Sequence, residues 1–254
     1  MQILSRGKAK AQDKKVNTMT SKNRLPTPSE KADGKDHDKV CVLNKATDIR
    51  RAAETLAVAF HDSKAFDYIS KKFFNIPITE HVSKDRINAT IAYYASCYLD
   101  SPHGEISEVN DFDAVALWSL PPHVPKVLSN DPKFNKDFIE DLSERRKQVI
   151  PEGINYYYLF CIGKNLNEKS IKGSVRTIFE EYKKRADEDN CAIVLEAIAE
   201  HARSVYEYFG FKNYKTFKYG EGEVDSNGNY DPNGEGFTSY LMIYHKDGDK
   251  VLRG

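Results

Sequence analysis

The run Tyr156-Tyr157-Tyr158-Leu159-Phe160-Cys161-Ile162 opens the stretch of sequence that decides the fold. A second apolar run, Cys191-Ala192-Ile193-Val194-Leu195, follows a polar loop at 163–172 and a helical pattern from Ser174 to Asp187. Short apolar runs without alternation are typical of strands that are buried on both faces. Two such strands joined by a helix are expected to be parallel, with a right-handed crossover. The stretch therefore predicts a strand–helix–strand unit of an α/β fold.

The loop before the helix is the predicted ligand site of this unit. Ligands of open α/β sheets bind beyond the carboxyl ends of the strands. The unpaired N–H groups and partial positive charge of a helix N-terminus attract phosphate. Lys169, Lys172 and Arg176 add positive charge to the same corner, and Gly173 permits close approach of a ligand to the backbone. The sequence therefore predicts an anion site where the first strand gives way to the helix.

The residues after the second strand resemble a known family. Leu195 is followed by Glu196, by a short helix and by Val205-Tyr206-Glu207-Tyr208-Phe209-Gly210-Phe211, an order that resembles the closing motif of GNAT-type N-acetyltransferases. Upstream, Ala116-Leu117-Trp118 and then Pro121-Pro122 are similar to the puromycin-acetyltransferase-like branch. The likeness covers residues 38–246 and implies an α/β (α+β) fold with a mixed, mostly antiparallel central sheet, one parallel strand pair and flanking helices.

The resemblance also implies an activity, which is transfer of acetyl from acetyl-CoA to the amine of a small molecule. Glu196 would be the general base and Tyr206 the acid that protonates the leaving thiolate. An alkyl ammonium must lose a proton before it can attack, and a carboxylate can accept that proton. The expected residues of the acetyl-CoA site are Phe160, Cys161, Ile162, Lys172, Gly173, Ser174, Val175 and Arg176.

Two other functions stay open at this point. The family's pyrophosphate loop carries more glycines than Ile171–Arg176, so a non-catalytic CoA-binding or regulatory module on the same fold is one alternative. The second is a P-loop-like nucleotide binder, because Gly163–Ser170 nearly matches GxxxxGK[ST]. Glu168 stands where that motif needs its second glycine, and its carboxylate would repel the phosphates.

The first half of the chain predicts a short strand at Val40–Leu43, and Thr47-Asp48 then caps a helix. Further helices are predicted around 66–74 and at 83–99, a hairpin at 105–118 and a helical insertion near 126–149 that covers the acceptor side. The predicted solvated face of this insertion is Glu144-Arg145-Arg146-Lys147. Candidates for the acceptor pocket are His61, Asp62, Phe66, Tyr93, Tyr94 and Tyr98.

Composition limits the partners and the compartment. Lys plus Arg and Asp plus Glu both number 38, so no overall charge points to nucleic acid or a membrane surface. Residues 1–36 carry nine basic and four acidic side chains and few large apolar ones, which predicts a disordered basic tail before a single domain at 37–254. The four scattered cysteines indicate a reducing compartment. We expect a cytoplasmic monomer or homodimer without a metal, for which nuclear entry stays open.

Overall fold

The protein is built around a seven-stranded sheet. The computed structural model describes residues 41–122, 124, 127–166 and 171–253. The strand order is β1-β2-β3-β4-β5-β7-β6, and only β4 and β5 pair in parallel. The strands are β1 (Leu43–Lys45), β2 (Gly104–Val109), β3 (Ala114–Ser119), β4 (Tyr156–Lys164), β5 (Ala192–Ala197), β6 (Lys212–Tyr219) and β7 (Phe237–Tyr244). This mixed, mostly antiparallel sheet confirms the predicted fold class.

Helices cover both faces of the sheet. They are α1 (Ile49–Phe60), α2 (Lys64–Phe73), α3 (Lys84–Asp100), α4 (Pro132–Phe134), α5 (Asp141–Val149), α6 (Ser174–Glu188) and α7 (Glu200–Tyr208). A π-helical segment, Asn135–Glu140, joins α4 to α5. The N-cap residues of the first three helices are Asp48, Ser63 and Ser83. The side chain of each accepts a hydrogen bond from a backbone N–H of the first turn.

Side chains of the central strands alternate between two cores. On one face, α6 and α7 pack against Trp118, Leu159 and Leu195. On the other face, α1, α2 and α3 cover β2 to β4, and α5 covers the β5–β7–β6 side. The two runs without alternation are therefore strands buried on both sides, as their composition predicts.

The β4–β5 pair is short. Tyr156–Tyr158 lie beside Ala192–Val194, and no further pairing joins the two strands, although β4 continues to Lys164 and β5 to Ala197. In the same region β4 bulges against β3, because Leu117 pairs with Cys161 and Trp118 with Leu159, which leaves Phe160 as the extra residue. Beyond Tyr158 and Val194 the two strands separate and leave a cleft in the sheet.

Two predicted boundaries are wrong. The strand predicted at Val40–Leu43 begins outside the described residues, and the described strand is Leu43–Lys45, because the register of the edge pair places Leu43 opposite Val109 and Lys45 opposite Ser107. The strand before the ligand loop continues through Gly163 and Lys164 instead of ending at Ile162. The predicted tail at 1–36 lies outside the described residues. Among the described helices, none is long and apolar enough to cross a membrane.

The loop from Gly220 to Gly236 folds back onto α2. The carboxylate of Asp225 accepts hydrogen bonds from the backbone N–H groups of Asn227 and Asn229 and therefore closes a turn. No group of three or more His, Cys, Asp or Glu suited to a metal occurs in the described part of the chain. Gly228 has φ +89° and lies so close to α2 that a Cβ would be 2.6 Å from the backbone nitrogen of Ala65.

This close approach makes Gly228→Ala destabilising. The positive φ costs about 1–2 kcal/mol for alanine, and the clash with the α2 backbone adds about 1–3 kcal/mol. Urea denaturation measures the difference in the free energy of unfolding. Gly153→Ala is the matched control, because Gly153 also has φ +89° but has no atom within 4 Å of the added Cβ. Equal losses of unfolding free energy in the two variants would show that the added Cβ at Gly228 does not clash with α2.

Candidate functional site

The cleft between β4 and β5 lies at the centre of the candidate site. The bulge directs two successive side chains, Phe160 and Cys161, to the face that carries α1 to α3, while Leu159 and Ile162 pack on the α6 face. Leu159, Cys161 and Ile162 have buried side chains. Any ligand in the cleft would therefore meet the backbone edge of β4 at Phe160 to Ile162, with Phe160 as the partly accessible side chain.

The N-terminus of α6 lies just past the end of β4. Gly173 is the N-cap with φ +97°, and no side chain caps this helix, so its first-turn N–H groups have no side-chain acceptor in the described part of the chain. On the inner side, the buried Ser174 hydroxyl donates to Asp113, 2.5 Å away, and Lys164 lies 3.2 Å from the same carboxylate. On the outer side, Lys172 and Gly173 are exposed.

The corner is therefore open to solvent at Lys172 and Gly173 and closed behind Ser174. Val175 is partly buried in the α6 core, and the exposed Arg176 donates to the Tyr208 hydroxyl and to Glu180. A Cβ at Gly173 would meet only the Cys41 sulfur at 3.6 Å, which leaves space in front of the helix end. These residues can accommodate an anion on the outer side of the first turn.

The P-loop alternative finds no support in the part of its motif that the structure describes. Gly163 and Lys164 belong to β4 and not to a loop. A Cβ at Gly163 would be 2.5 Å from the Cβ of Ala59, so this glycine serves the packing of α1 against β4. Residues 167–170, which complete the motif, lie outside the described residues.

Glu196 is buried in a charged cluster on the opposite face of the sheet from α6. It is 2% exposed, and its Oε1 accepts from Arg146 Nε at 2.9 Å and Nη2 at 2.8 Å. The Tyr158 hydroxyl donates to the other oxygen, Oε2, at 2.8 Å. The Arg146 guanidinium also lies over the Tyr158 ring, 4.1 Å from its centroid. Glu196, Arg146 and Tyr158 therefore form one network, which we call the buried triad.

The surroundings shift the pKa values of Tyr158 and Arg146. Burial, followed by the negative charge of Glu196, raises the pKa of Tyr158 well above its ordinary value, so the hydroxyl keeps its proton. Burial would lower the pKa of Arg146, but the charge of Glu196 and the adjacent tyrosines raise it, so the guanidinium stays charged. Arg146 was predicted on a solvated face, and this prediction is wrong because the side chain turns inward beneath α5 to reach Glu196.

A cavity of about 160 Å³ adjoins the triad. Its floor is Tyr156, Tyr158 and Phe160 of β4, and Arg146 stands in its wall. The rest of its lining is almost wholly apolar or aromatic: Phe66, Ile69, Phe73, Tyr94, Tyr98, Val124, Val127, Phe134, Phe138, Ile139, Leu142 and Ser143. Three pocket candidates from the sequence, Phe66, Tyr94 and Tyr98, belong to this lining, whereas Tyr93, His61 and Asp62 do not.

Tyr206 lies in the core between α7, α6 and the sheet. It is 0% exposed, its ring packs near Phe179 and Phe211, and its hydroxyl has no hydrogen-bond partner in the described part of the chain. Burial, and then the nearby Cys161 thiol, raise its pKa well above the ordinary value. An unpaired buried hydroxyl costs about 1–3 kcal/mol. Such a group is a candidate contact for a ligand.

Sequence comparison places these features in a family. The family model described as "YOR012W acetyl transferase domain" matches residues 44–124. The chain is 73% identical over 235 residues to the uncharacterized protein YDR391C of Saccharomyces cerevisiae, which covers 92% of this chain and 100% of that protein. It is also 25% identical over 185 residues to an uncharacterized N-acetyltransferase of Schizosaccharomyces pombe, over 66% of this chain and 72% of that one.

The chain belongs to the same family as YDR391C, and its sheet has the fold of the GNAT-type N-acetyltransferases. Comparison of structures agrees for the fold. The C-terminal condensation domain of Ebony, solved with beta-alanyl-dopamine, matches with a TM-score of 0.55 at 12% identity, over 81% of this chain and 98% of that one. The mostly antiparallel sheet, with its single parallel pair, is the one that the resemblance around Glu196 and Tyr206 implies.

Two residues of the site, Tyr158 and Arg146, are not predicted from the sequence. Tyr158 lies in an apolar run and is one of three successive tyrosines, so the sequence does not single it out. Arg146 follows Leu142 by four residues and precedes Val149 by three, and this spacing places all three on one face of α5. That spacing was the one signal that could have identified Arg146 as an inward-facing side chain.

The two buried tyrosines give opposite predictions for loss of a hydroxyl. Tyr158→Phe removes a hydrogen bond to a charged partner and should lower the free energy of unfolding by about 1.5–3 kcal/mol. Tyr206→Phe removes a hydroxyl without a partner and should leave stability unchanged or raise it by about 1 kcal/mol. Urea denaturation of both variants beside the wild type tests this contrast. A large loss in Tyr206→Phe would mean that its hydroxyl is bonded.

Proposed function

We propose that this protein is an acetyl-CoA-dependent N-acetyltransferase that acts on the amine of a small molecule. The observation that carries the proposal is the early end of the β4–β5 pairing after Tyr158 and Val194. The aromatic cavity lies on one face of the sheet, and Tyr206, whose hydroxyl has no partner among the described residues, lies in the core on the other face. The cleft would therefore let a donor and an acceptor meet from two directions.

The residues of the cleft fit the parts of acetyl-CoA. The backbone edge at Phe160, Cys161 and Ile162 can bond to an extended amide chain, and the uncapped first turn at Ser174–Arg176, with Lys172 and Gly173, suits a diphosphate. When bound, acetyl-CoA supplies the thioester. In this site the buried Tyr206 hydroxyl, which has no partner in the described part of the chain, would donate a hydrogen bond to the departing sulfur.

Removal of the proton from the amine falls to the buried triad in our proposal. Glu196 is not among the residues that line the cavity, whereas Tyr158 is. The Tyr158 oxygen can therefore accept a proton from the acceptor nitrogen while its own proton passes to Glu196 Oε2, 2.8 Å away. Glu196 would act through Tyr158 and not by direct contact, which refines the role that the motif implies.

Binding of the donor is tested first. We expect millimolar acetyl-CoA to raise the melting temperature of the full chain, because a ligand that binds only the folded state stabilises it by mass action. ATP with magnesium is the control and should give no shift. Replacing the exposed Lys172 with Gln should weaken the acetyl-CoA shift without lowering the melting temperature of the free protein. No shift with acetyl-CoA would contradict the proposal.

Turnover is tested by release of the CoA thiol in the presence of a panel of small amines. Tyr206→Phe and Glu196→Gln should each lower kcat by about 10²-fold or more while the fold is kept, as is typical for loss of a proton-transfer group. Glu207→Gln is a control on the exposed side of α7, and it should not change kcat. Wild-type rates in both site variants would remove Glu196 and Tyr206 from the chemistry.

One observation favours a second function. The carboxylate of Glu196 is already neutralised by Arg146, as expected in a structural ion pair, which supports a non-catalytic CoA-binding or regulatory module. In that case acetyl-CoA would stabilise the protein but no amine in the panel would release thiol. We also propose that the protein acts in the cytoplasm as a monomer or homodimer, without a nucleic-acid or membrane partner, in keeping with its zero formal charge.

A further inference from the structure

The charges around the aromatic cavity are unusual for a site that receives an amine. Among the described residues that line it, the one charged side chain is Arg146, which is a cation. Glu196 compensates this charge from behind, and both of its oxygens already accept hydrogen bonds from Arg146 and Tyr158. No carboxylate in the described lining is available to pair with an incoming ammonium.

A protonated amine would therefore bind weakly in this cavity. Transfer of an ammonium from water into an apolar site is costly unless the charge is paired there. In this cavity the neighbouring charge is a guanidinium, which repels a second cation. Breaking the Arg146–Glu196 pair to free the carboxylate would leave Arg146 buried without its partner. The repulsion from Arg146 and the cost of breaking the Arg146–Glu196 pair both favour an acceptor that enters without charge.

We infer that the acceptor is an arylamine, whose nitrogen is neutral at pH 7, and not an alkyl amine, a polyamine or a basic peptide. This inference rests on the proposed function and names the acceptor class of the same site. Conjugation of the nitrogen lone pair with the ring makes such amines weak bases, so no proton has to be removed before attack. The aromatic walls, which include Phe66, Phe73 and Phe138, suit the ring.

The size of the cavity agrees with a single ring. Its volume of about 160 Å³ is close to that of an engineered apolar cavity of about 150 Å³ that binds benzene. The reaction balances without a further reactant. The nitrogen lone pair forms the C–N bond, the C–S bond breaks with its electrons on sulfur, and the proton lost from nitrogen equals the proton gained by the thiolate.

Equilibrium binding of two isomeric amines tests the inference without any acetyl donor. 4-Methylaniline and benzylamine have the same formula and nearly the same shape, but only benzylamine is protonated at neutral pH. Calorimetric titration of the full chain should give at least tenfold tighter binding of 4-methylaniline at pH 7. Between about pH 6 and about pH 8 the benzylamine Kd should fall about tenfold per pH unit, because only the neutral fraction binds, while the 4-methylaniline Kd stays constant.

A charge variant gives a second, independent readout. Arg146→Gln removes the cation but keeps a hydrogen-bond donor near Glu196, so the carboxylate can pair with benzylammonium. The preference for 4-methylaniline at pH 7 should then shrink at least tenfold. Arg145→Gln is the matched control, because Arg145 is the neighbouring residue, pairs with Asp141 and does not line the cavity. It should leave the preference unchanged.

Equal or tighter binding of benzylamine to the wild type at pH 7 overturns the inference, and so does failure of 4-methylaniline to bind. Because these titrations contain no acetyl-CoA, they are separate from the test of the proposed function. A protein that releases thiol with benzylamine and not with 4-methylaniline would keep the proposed function and lose the inference. Absence of an acetyl-CoA shift, together with tighter binding of 4-methylaniline, would remove the proposed function and leave only the preference of the cavity for neutral amines.

Discussion

The separation of β4 from β5 is the constraint on which the site depends. Parallel pairing holds the strands together for three residues, and the bulge at Phe160 then bends β4 away from the register that would continue the pairing. Backbone groups of a buried strand need partners. Beyond Tyr158 the edge of β4 does not pair with β5, and in our proposal a ligand with amide groups of its own binds along it.

The buried triad shows how such a sheet can be opened and still remain stable. A buried ion pair contributes little net stability, because removing both charges from water is costly. It does fix geometry, since a misplaced Arg146 or Glu196 would leave an unpaired charge in the core. The pair connects α5 to the end of β5, and Tyr158 connects both to β4. The residues that hold the cavity in shape are thus the ones to which our proposal assigns the proton transfer.

Tyr206 contrasts with the buried triad, in which every polar side chain has a hydrogen-bond partner. Its hydroxyl is fully buried and has no partner among the described residues, which is a cost to the stability of the free protein. Strained or unsatisfied groups persist where a ligand completes them. Glu196 and Tyr206 belong to different faces of the sheet, so our proposal, in which both act on one ligand, depends on the cleft between β4 and β5.

Much of the fold follows from local pattern. The unbroken apolar runs at Tyr156 and Cys191 specify buried strands, the stripe from Val175 to Ala186 specifies α6, and Asp48 and Ser83 mark helix starts. These features depend on residues within a few positions of one another. The edge strand was placed too early because its register depends on Val109, far along the chain.

By itself, the sequence determined the element types, the parallel unit and the identity of Glu196, Tyr206 and Gly173 as candidates. Only the tertiary structure decided that Phe160 is a bulge, that Arg146 turns inward and that Tyr158 stands between Glu196 and the cavity. The physical reason is the distance along the chain over which each effect acts. Backbone propensity and hydrophobic period act between near neighbours, whereas the charge next to a buried carboxylate depends on which distant segments pack together, and no local pattern records that.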